Sequence, residues 1–206
     1  MSLAPSSIAS GSTRKEAHAR VIADRRVALH REIEASLKDA ALLTCEIGSG
    51  HGHFLTAYAA HHVDRTCVGV DIVDDRVARA NRKRDRAQLP NLHFFHADAR
   101  LFLETLPSRT MLRDVFILFP DPWPKKRHHK NRLLQAEFLD LLRAKTVETA
   151  RLYFRTDHSS YFESARGVVE HHSGWQLSPS PWPFEHVTVF QSRAAHYFSF
   201  CAEWRS

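Results

Sequence analysis

Only three cysteines, Cys45, Cys67 and Cys201, occur in 206 residues, odd in number, widely spaced and set in apolar runs. A disulfide framework needs paired cysteines, so these are expected to be reduced core thiols in a reducing compartment. No stretch approaches the roughly 18 consecutive apolar residues of a membrane span. A soluble, cytoplasmic protein with no membrane partner is therefore expected. The start, MSLAPSSIASGST, lacks the charged opening and apolar core of a secretory signal, so residues 1–13 are expected to be a flexible tail. Serine-rich, acid-poor starts also resemble transit peptides, but Glu16, Asp24 and Glu32 interrupt the Arg-rich stretch that would have to be the targeting helix. Internal repeats and low-complexity tracts are absent. The histidine pairs 61/62, 128/129 and 171/172 make no metal site by themselves, because adjacent helical residues point about 100° apart.

What is present is a chain long enough for one sizeable core, with 43% hydrophobic residues. A single domain over residues 14–206 is expected. The 29 Lys and Arg against 23 Asp and Glu leave a net charge of +6, which permits a polyanionic partner. Ala17, Val21, Ile22, Leu29, Ile33 and Leu37 fall near helical spacing and predict a leading helix over about 15–38. Beyond it, five short apolar runs alternate with helical stretches: ALLTCEI, TCVGVDI, LHFFHA, DVFILF and RLYFRTD each precede a helix pattern. Such alternation predicts a doubly wound α/β fold, a mostly parallel sheet with helices on both faces. A Pro- and Ser-rich loop, SGWQLSPSPWPFEH, then leads to VTVF and HYFSFCAEW, read as late strands that add antiparallel edges.

The first strand ends in Glu46-Ile47-Gly48-Ser49-Gly50-His51-Gly52, directly before a helix. Glycines there let the backbone take positive φ and approach a ligand, and the helix start offers unpaired N–H groups. A dinucleotide fingerprint needs its third glycine where His53 stands, and a P-loop needs a missing Gly-Lys-Ser/Thr ending. The pattern E-x-G-x-G-x-G instead resembles the first motif of class I methyltransferases, whose cofactor is S-adenosyl-L-methionine. Asp71 closes the second strand 23 residues beyond Gly48, about where a carboxylate can take two ribose hydroxyls. Asp98 and Ala99 follow the third strand, where the methyltransferase pattern has its residues near the adenine amino group. The bland reading of both acids is as helix caps.

After the fourth strand comes FPDPWPKKRHHKNR, residues 119–132. With the glycine loop it resembles the signature of bacterial tRNA (guanine-N7)-methyltransferases, F-x-DPW-x-K-x-RH-x-K-R-[RK]. The resemblance continues through Tyr153-Phe154-Arg155-Thr156-Asp157 and ends at Glu203-Trp204-Arg205. It implies a seven-stranded, Rossmann-like methyltransferase sheet and methyl transfer to a tRNA guanosine. Its cofactor residues would be Glu46, Gly48, Gly50, Gly52, Asp71, Asp98, Ala99 and Asp121. Lys125 and Asp157 would contact the target nucleotide, and Arg127, His128, Lys130 and Arg132 would hold RNA. No resident metal is implied, and a monomer is expected, with a homodimer as the alternative.

Residue by residue, Asp121 sits at a strand's carboxyl end, where open α/β sheets place their chemistry. Pro120, Pro122 and Pro124 stiffen its surroundings. Guanine N7 carries a free lone pair, so the chemistry asks for in-line positioning rather than a general base. The methylated purine is cationic, and a nearby carboxylate favours that charge, which makes Asp121 the candidate catalytic group. Lys125, Lys126, Arg127, Lys130 and Arg132 form either a solvated surface or a phosphate track. The resemblance departs near the C-terminus. Thr188-Val189-Phe190-Gln191 stands where the family has T-x-[FY]-E, and, farther back, AKTVETAR replaces the Pro-Gly-Gly turn before the fifth strand. Thr188 and Gln191 would still face the target nucleotide, but Gln191 lacks the charge for a bidentate grip on guanine. A small nitrogen heterocycle is therefore the alternative substrate. A non-enzymatic RNA-binding protein is the third reading, disfavoured by the intact Glu46, Asp71, Asp98 and Asp121.

Overall fold

The computed structural model describes residues 9–38, 40–187, 191–192 and 194–205. Seven strands form one sheet in the order β3-β2-β1-β4-β5-β7-β6: β1 (Leu42–Ile47), β2 (Thr66–Asp71), β3 (Leu92–His96), β4 (Met111–Leu118), β5 (Thr146–Thr156), β6 (Trp175–Ser178) and β7 (Phe198–Trp204). Only β7 runs against its neighbours, pairing antiparallel with both β5 and β6. The doubly wound α/β sheet with an antiparallel late strand is thus as expected. Val115, Phe116 and Ile117 are all buried, as a central strand covered on both faces requires.

The helices are α1 (Ala9–Leu37), α2 (His53–His61), α3 (Asp74–Ala87), α4 (Ala99–Thr105), α5 (Ala136–Arg143) and α6 (Ser159–His171). On one side Phe54, Leu55, Tyr58, Val77 and Ala80 of α2 and α3 pack on Phe94, Phe116 and Tyr153. On the other, α1, α4, α5 and α6 enclose the larger cluster, and Leu29, Ile33 and Leu37 enter it from the last turns of α1. Their spacing of four residues puts them on one stripe. No described helix is long and apolar enough to cross a membrane.

Several details differ from the expected elements. Helix α1 begins at Ala9, inside the segment expected to be a tail. Strand β6 lies within the stretch read as a loop, paired to β7 from Trp175↔Trp204 to Ser178↔Cys201. Of VTVF, Val187 belongs to no strand and residues 188–190, including Thr188, lie outside the described residues.

Register assembles the site. Ile47 pairs with Val70 on one side and Ile117 on the other, while Leu118 pairs with Arg155. The glycine loop, Asp71, Asp121 and Asp157 therefore leave the sheet at one level, on strands about 4.8 Å apart. Because β1 lies between β2 and β4, the glycine loop occupies the switch point where open sheets bind ligands.

Candidate active site

Gly48, Gly50 and Gly52 all take positive φ, at 76°, 54° and 68°. The loop's amides are spent inside the protein: Gly48 and Ser49 donate to the Val70 carbonyl, Gly50 to Asp71 Oδ2 at 2.8 Å, and Gly52 to the Ser49 carbonyl. A pyrophosphate cradle needs those N–H groups free, so the loop does not suit a dinucleotide. The loop instead presents open space, since a Cβ on Gly48 or Gly50 would touch nothing within 4 Å. Gly52 is different, because a Cβ there would meet Phe94 Cζ at 2.5 Å. Gly52→Ala should cost about 2–4 kcal/mol from crowding plus left-handed strain, and Gly48→Ala only about 1–2. Denaturant unfolding of the two variants measures the difference.

Glu46 is 4% exposed. Its carboxylate accepts the backbone N–H of Leu55 in α2, while Oε2 has no partner. Burial pushes this carboxyl well above the usual carboxylate range, and Asp71 adds to the effect; the Leu55 N–H and Lys83 oppose it. Ser49 Oγ, in the glycine loop, is also buried and unpaired. Two orphaned polar atoms at an open glycine loop ask for a polar ligand, one of them for a cationic donor.

Asp71 is buried, with Oδ1 accepting the Val73 N–H at 2.9 Å and Oδ2 the Gly50 N–H. It locks the glycine loop against β2 and retains lone pairs for a diol. Asp98 caps α4, its Oδ1 taking the N–H groups of Arg100 and Leu101, and Ala99 is the buried first residue of that helix. The cap reading of Asp98 is realised, with Oδ2 to spare. Asp157 is exposed and is no cap: the residue before α6 is His158, whose N–H goes to Thr156 Oγ1.

Asp121 is exposed, and the backbone on either side of it is unusual. Phe119 and Trp123 are left-handed, at φ 49° and 44°. Each such bulky residue costs of order 1–3 kcal/mol, and the fold must hold it in place. Part of that grip is the Phe119 N–H bonded to the Arg155 carbonyl at 2.7 Å. The rest is Arg132. Sequence placed this residue on the RNA, but it is only 3% exposed. Its guanidinium donates to the Pro122 carbonyl at 2.9 Å, the Ser160 carbonyl and hydroxyl and the Ser164 hydroxyl, and it lies 4.8 Å from the Tyr161 ring centre. A charge buried this completely is anchored to protein rather than offered to RNA. Lys125, Arg127 and Lys130 remain exposed, and His128 meets Trp123 edge to face.

Gln191 is buried and bonds Glu185. Arg155 in turn grips Glu185 through both terminal nitrogens, at 2.8 and 2.9 Å, and sits 3.9 Å from the Trp182 ring centre and 4.6 Å from that of Tyr197. The hydrogen bond from Arg155 holds the Glu185 carboxyl below its usual range. This clamp, which ties Trp182, Glu185, Tyr197 and Ser199 to the end of β5, carries no signal in the local periodicity. Its one trace in the sequence is the aromatic-acid run Trp182-Pro183-Phe184-Glu185, which reads as plain loop.

Residues 40–196 match a family model described as "Putative methyltransferase". The tRNA (guanine-N(7)-)-methyltransferase of Hyphomonas neptunium is 38% identical over 150 residues, 70% of this chain and 68% of that protein. That of Halalkalibacterium halodurans is 32% identical over 75% of this chain and 73% of its own. For that of Nitrosococcus oceani the figures are 35%, 63% and 55%, so the chain spans between about half and three quarters of these curated relatives. Among solved structures, the antibiotic-resistance methyltransferase Kmr superposes with a TM-score of 0.56 at 20% identity, over 85% of this chain and 93% of that one. TrmN from Thermus thermophilus gives 0.59 at 14%, over 87% and 49%. The last two show the fold; the glycine loop, the Asp121 loop and the sequence matches together mean that the chain belongs to the tRNA (guanine-N7)-methyltransferase family of S-adenosylmethionine-dependent enzymes.

Proposed function

We propose that this protein is a cytoplasmic enzyme that methylates N7 of a guanosine in tRNA. The observation that carries the reading is Asp121, set between two left-handed residues in the loop that follows the strand next to the glycine loop. S-adenosylmethionine, when bound, supplies an electrophilic methyl group on a sulfonium. The residues present fit it: Glu46 Oε2 is a buried acceptor waiting for an ammonium donor, Ser49 Oγ is unpaired, and Gly48 and Gly50 leave room for a ligand. Asp71 would take the ribose hydroxyls, and Asp98 with Ala99 would border the base.

Asp121 orients the guanine and offsets the positive charge that N7 methylation creates. Lys125, Arg127, His128 and Lys130 follow it along an exposed turn, where they would hold the RNA phosphates on either side of the target. Asp157, on the neighbouring strand end, borders the same space. Gln191 lends its amide to Glu185 rather than facing solvent.

The test is transfer of labelled methyl groups to an unmodified tRNA transcript, followed by chemical cleavage at 7-methylguanosine. A single cleavage site is expected. Absence of incorporation, with cofactor binding intact, would transfer the assignment to a small nitrogen heterocycle.

Cofactor affinity should depend on pH through Glu46. Its raised pKa means that the carboxyl is neutral over a wider acidic range than usual, and only the ionised form pairs well with an ammonium group. Affinity for S-adenosylhomocysteine should therefore rise with pH until Glu46 is ionised. Calorimetry with Glu46→Gln should show a flat profile and about 10- to 100-fold weaker binding on the alkaline side. Stability of the ligand-free protein has the opposite sense: the Glu46 contribution is complete below the usual carboxylate range and is lost as pH rises through the elevated value.

A further inference from the structure

Away from the Asp121 loop, a cavity of about 320 Å³ opens between the start of α2 and the middle of α3, lined by His51, His53, Arg79, Arg82, Lys83 and Arg86. We propose that this cleft is a second docking surface for the tRNA phosphodiester backbone, separate from the Lys125–Lys130 track; this rests on the tRNA reading above.

The four cations of α3 stand at positions i, i+3, i+4 and i+7, which is one stripe of a helix. Like charges so spaced repel one another, and no carboxylate lines the cleft to offset them. Arg82 and Arg86 are exposed, with no acidic partner among the described residues. Arg79 pairs with Asp75 one turn earlier, at 2.9 Å, both side chains more than half exposed. A pair of that kind contributes little and exchanges readily for a phosphate. Lys83 is aimed into the cleft by its 2.8 Å bond to the His51 carbonyl, which ties it to the glycine loop. Burial and the neighbouring Arg86 depress its pKa, and burial, Lys83 and His51 depress that of His53. Arg82 and Arg86 therefore carry positive charge that no acidic partner among the described residues offsets.

Its chemistry excludes an apolar ligand, and its exposed arginines suit a passing chain of phosphates better than one enclosed metabolite. Strand order supplies the continuity. The cleft belongs to elements following β1 and β2, the Lys125–Lys130 track follows β4, and the glycine loop lies between them. An RNA laid across the carboxyl edge of the sheet would touch both basic regions with its target base over the space in between.

The test is a double variant, Arg82→Ala with Arg86→Ala, compared with wild type by tRNA binding across a salt series and by steady-state methylation. Both side chains are exposed and unpaired, so the melting temperature should hold, and S-adenosylhomocysteine should bind as before. Expected are at least about tenfold weaker tRNA binding, a matching rise in KM for tRNA with kcat within about twofold, and a salt slope shallower by about 2, one for each lost phosphate contact. An unchanged slope and KM in a wild type that does bind tRNA would overturn the docking surface and leave the tRNA reading intact. A wild type that binds S-adenosylhomocysteine but no tRNA would overturn both.

Discussion

Asp121→Asn should lower kcat for tRNA methylation by about 10²- to 10³-fold, equivalent to about 2.7–4 kcal/mol of transition-state stabilisation. The substitution keeps shape and removes charge. N7 passes from a neutral acceptor to part of a cationic ring, and a carboxylate fixed beside the base is more favourable in the transition state than in the ground state. In the free protein Asp121 is exposed and screened by water. Its effect is realised when RNA covers it and the local dielectric falls. Phe119 and Trp123 hold its backbone in a conformation that bulky residues rarely adopt, so little reorganisation is left for the reaction step. Single-turnover methylation with saturating enzyme separates this chemical defect from weaker binding. A rate within about threefold of wild type would remove Asp121 from the catalytic role.

Arg132→Ala should do as much harm by a different route. Four of the guanidinium donors are spent on Pro122, Ser160 and Ser164, and Tyr161 covers its face. Removing it takes four charge-assisted hydrogen bonds from Pro122, Ser160 and Ser164, uncovers Tyr161 and cuts the tie between α6 and the Asp121 loop, for an expected loss of about 2–4 kcal/mol. For a chain of this size that is a fall in Tm of roughly 5–15 °C. Arg132→Lys should recover only part, because an ammonium group cannot reproduce the planar fork. Differential scanning calorimetry distinguishes the alternatives: a phosphate-binding arginine would leave Tm unchanged and weaken tRNA binding alone.

Arg132 also shows where sequence reading stops. In a basic run every arginine looks alike, and nothing local says that this one turns inward to α6 while Arg127 stays outside. The alternation of apolar runs and helical patterns was enough for the sheet, because strands buried on both faces must be apolar throughout. The Gly48–Gly52 turn was legible because left-handed backbone selects glycine. Its amide accounting was not: Val70 and Asp71, which consume the N–H groups, belong to the neighbouring strand. Strand β6 was hidden for a similar reason. Trp175–Ser178 is four residues long, followed by Pro and Ser, and becomes a strand only by pairing with β7 some 25 residues later. The Arg155–Glu185 clamp likewise joins residues 30 positions apart in sequence, with no local periodicity to announce it.

The position of β7 has a consequence for synthesis on the ribosome. This strand follows β6 in the chain but lies between β5 and β6 in the sheet. Until residues 198–204 emerge, the outer edge of β5 has no hydrogen-bonding partner and β6 has no strand to join. That edge carries Leu152, Tyr153 and Phe154, an apolar run well suited to pairing with the wrong chain. The nascent protein thus completes its sheet by insertion rather than by stepwise addition. A pause in translation before Phe198 would leave that apolar edge of β5 open.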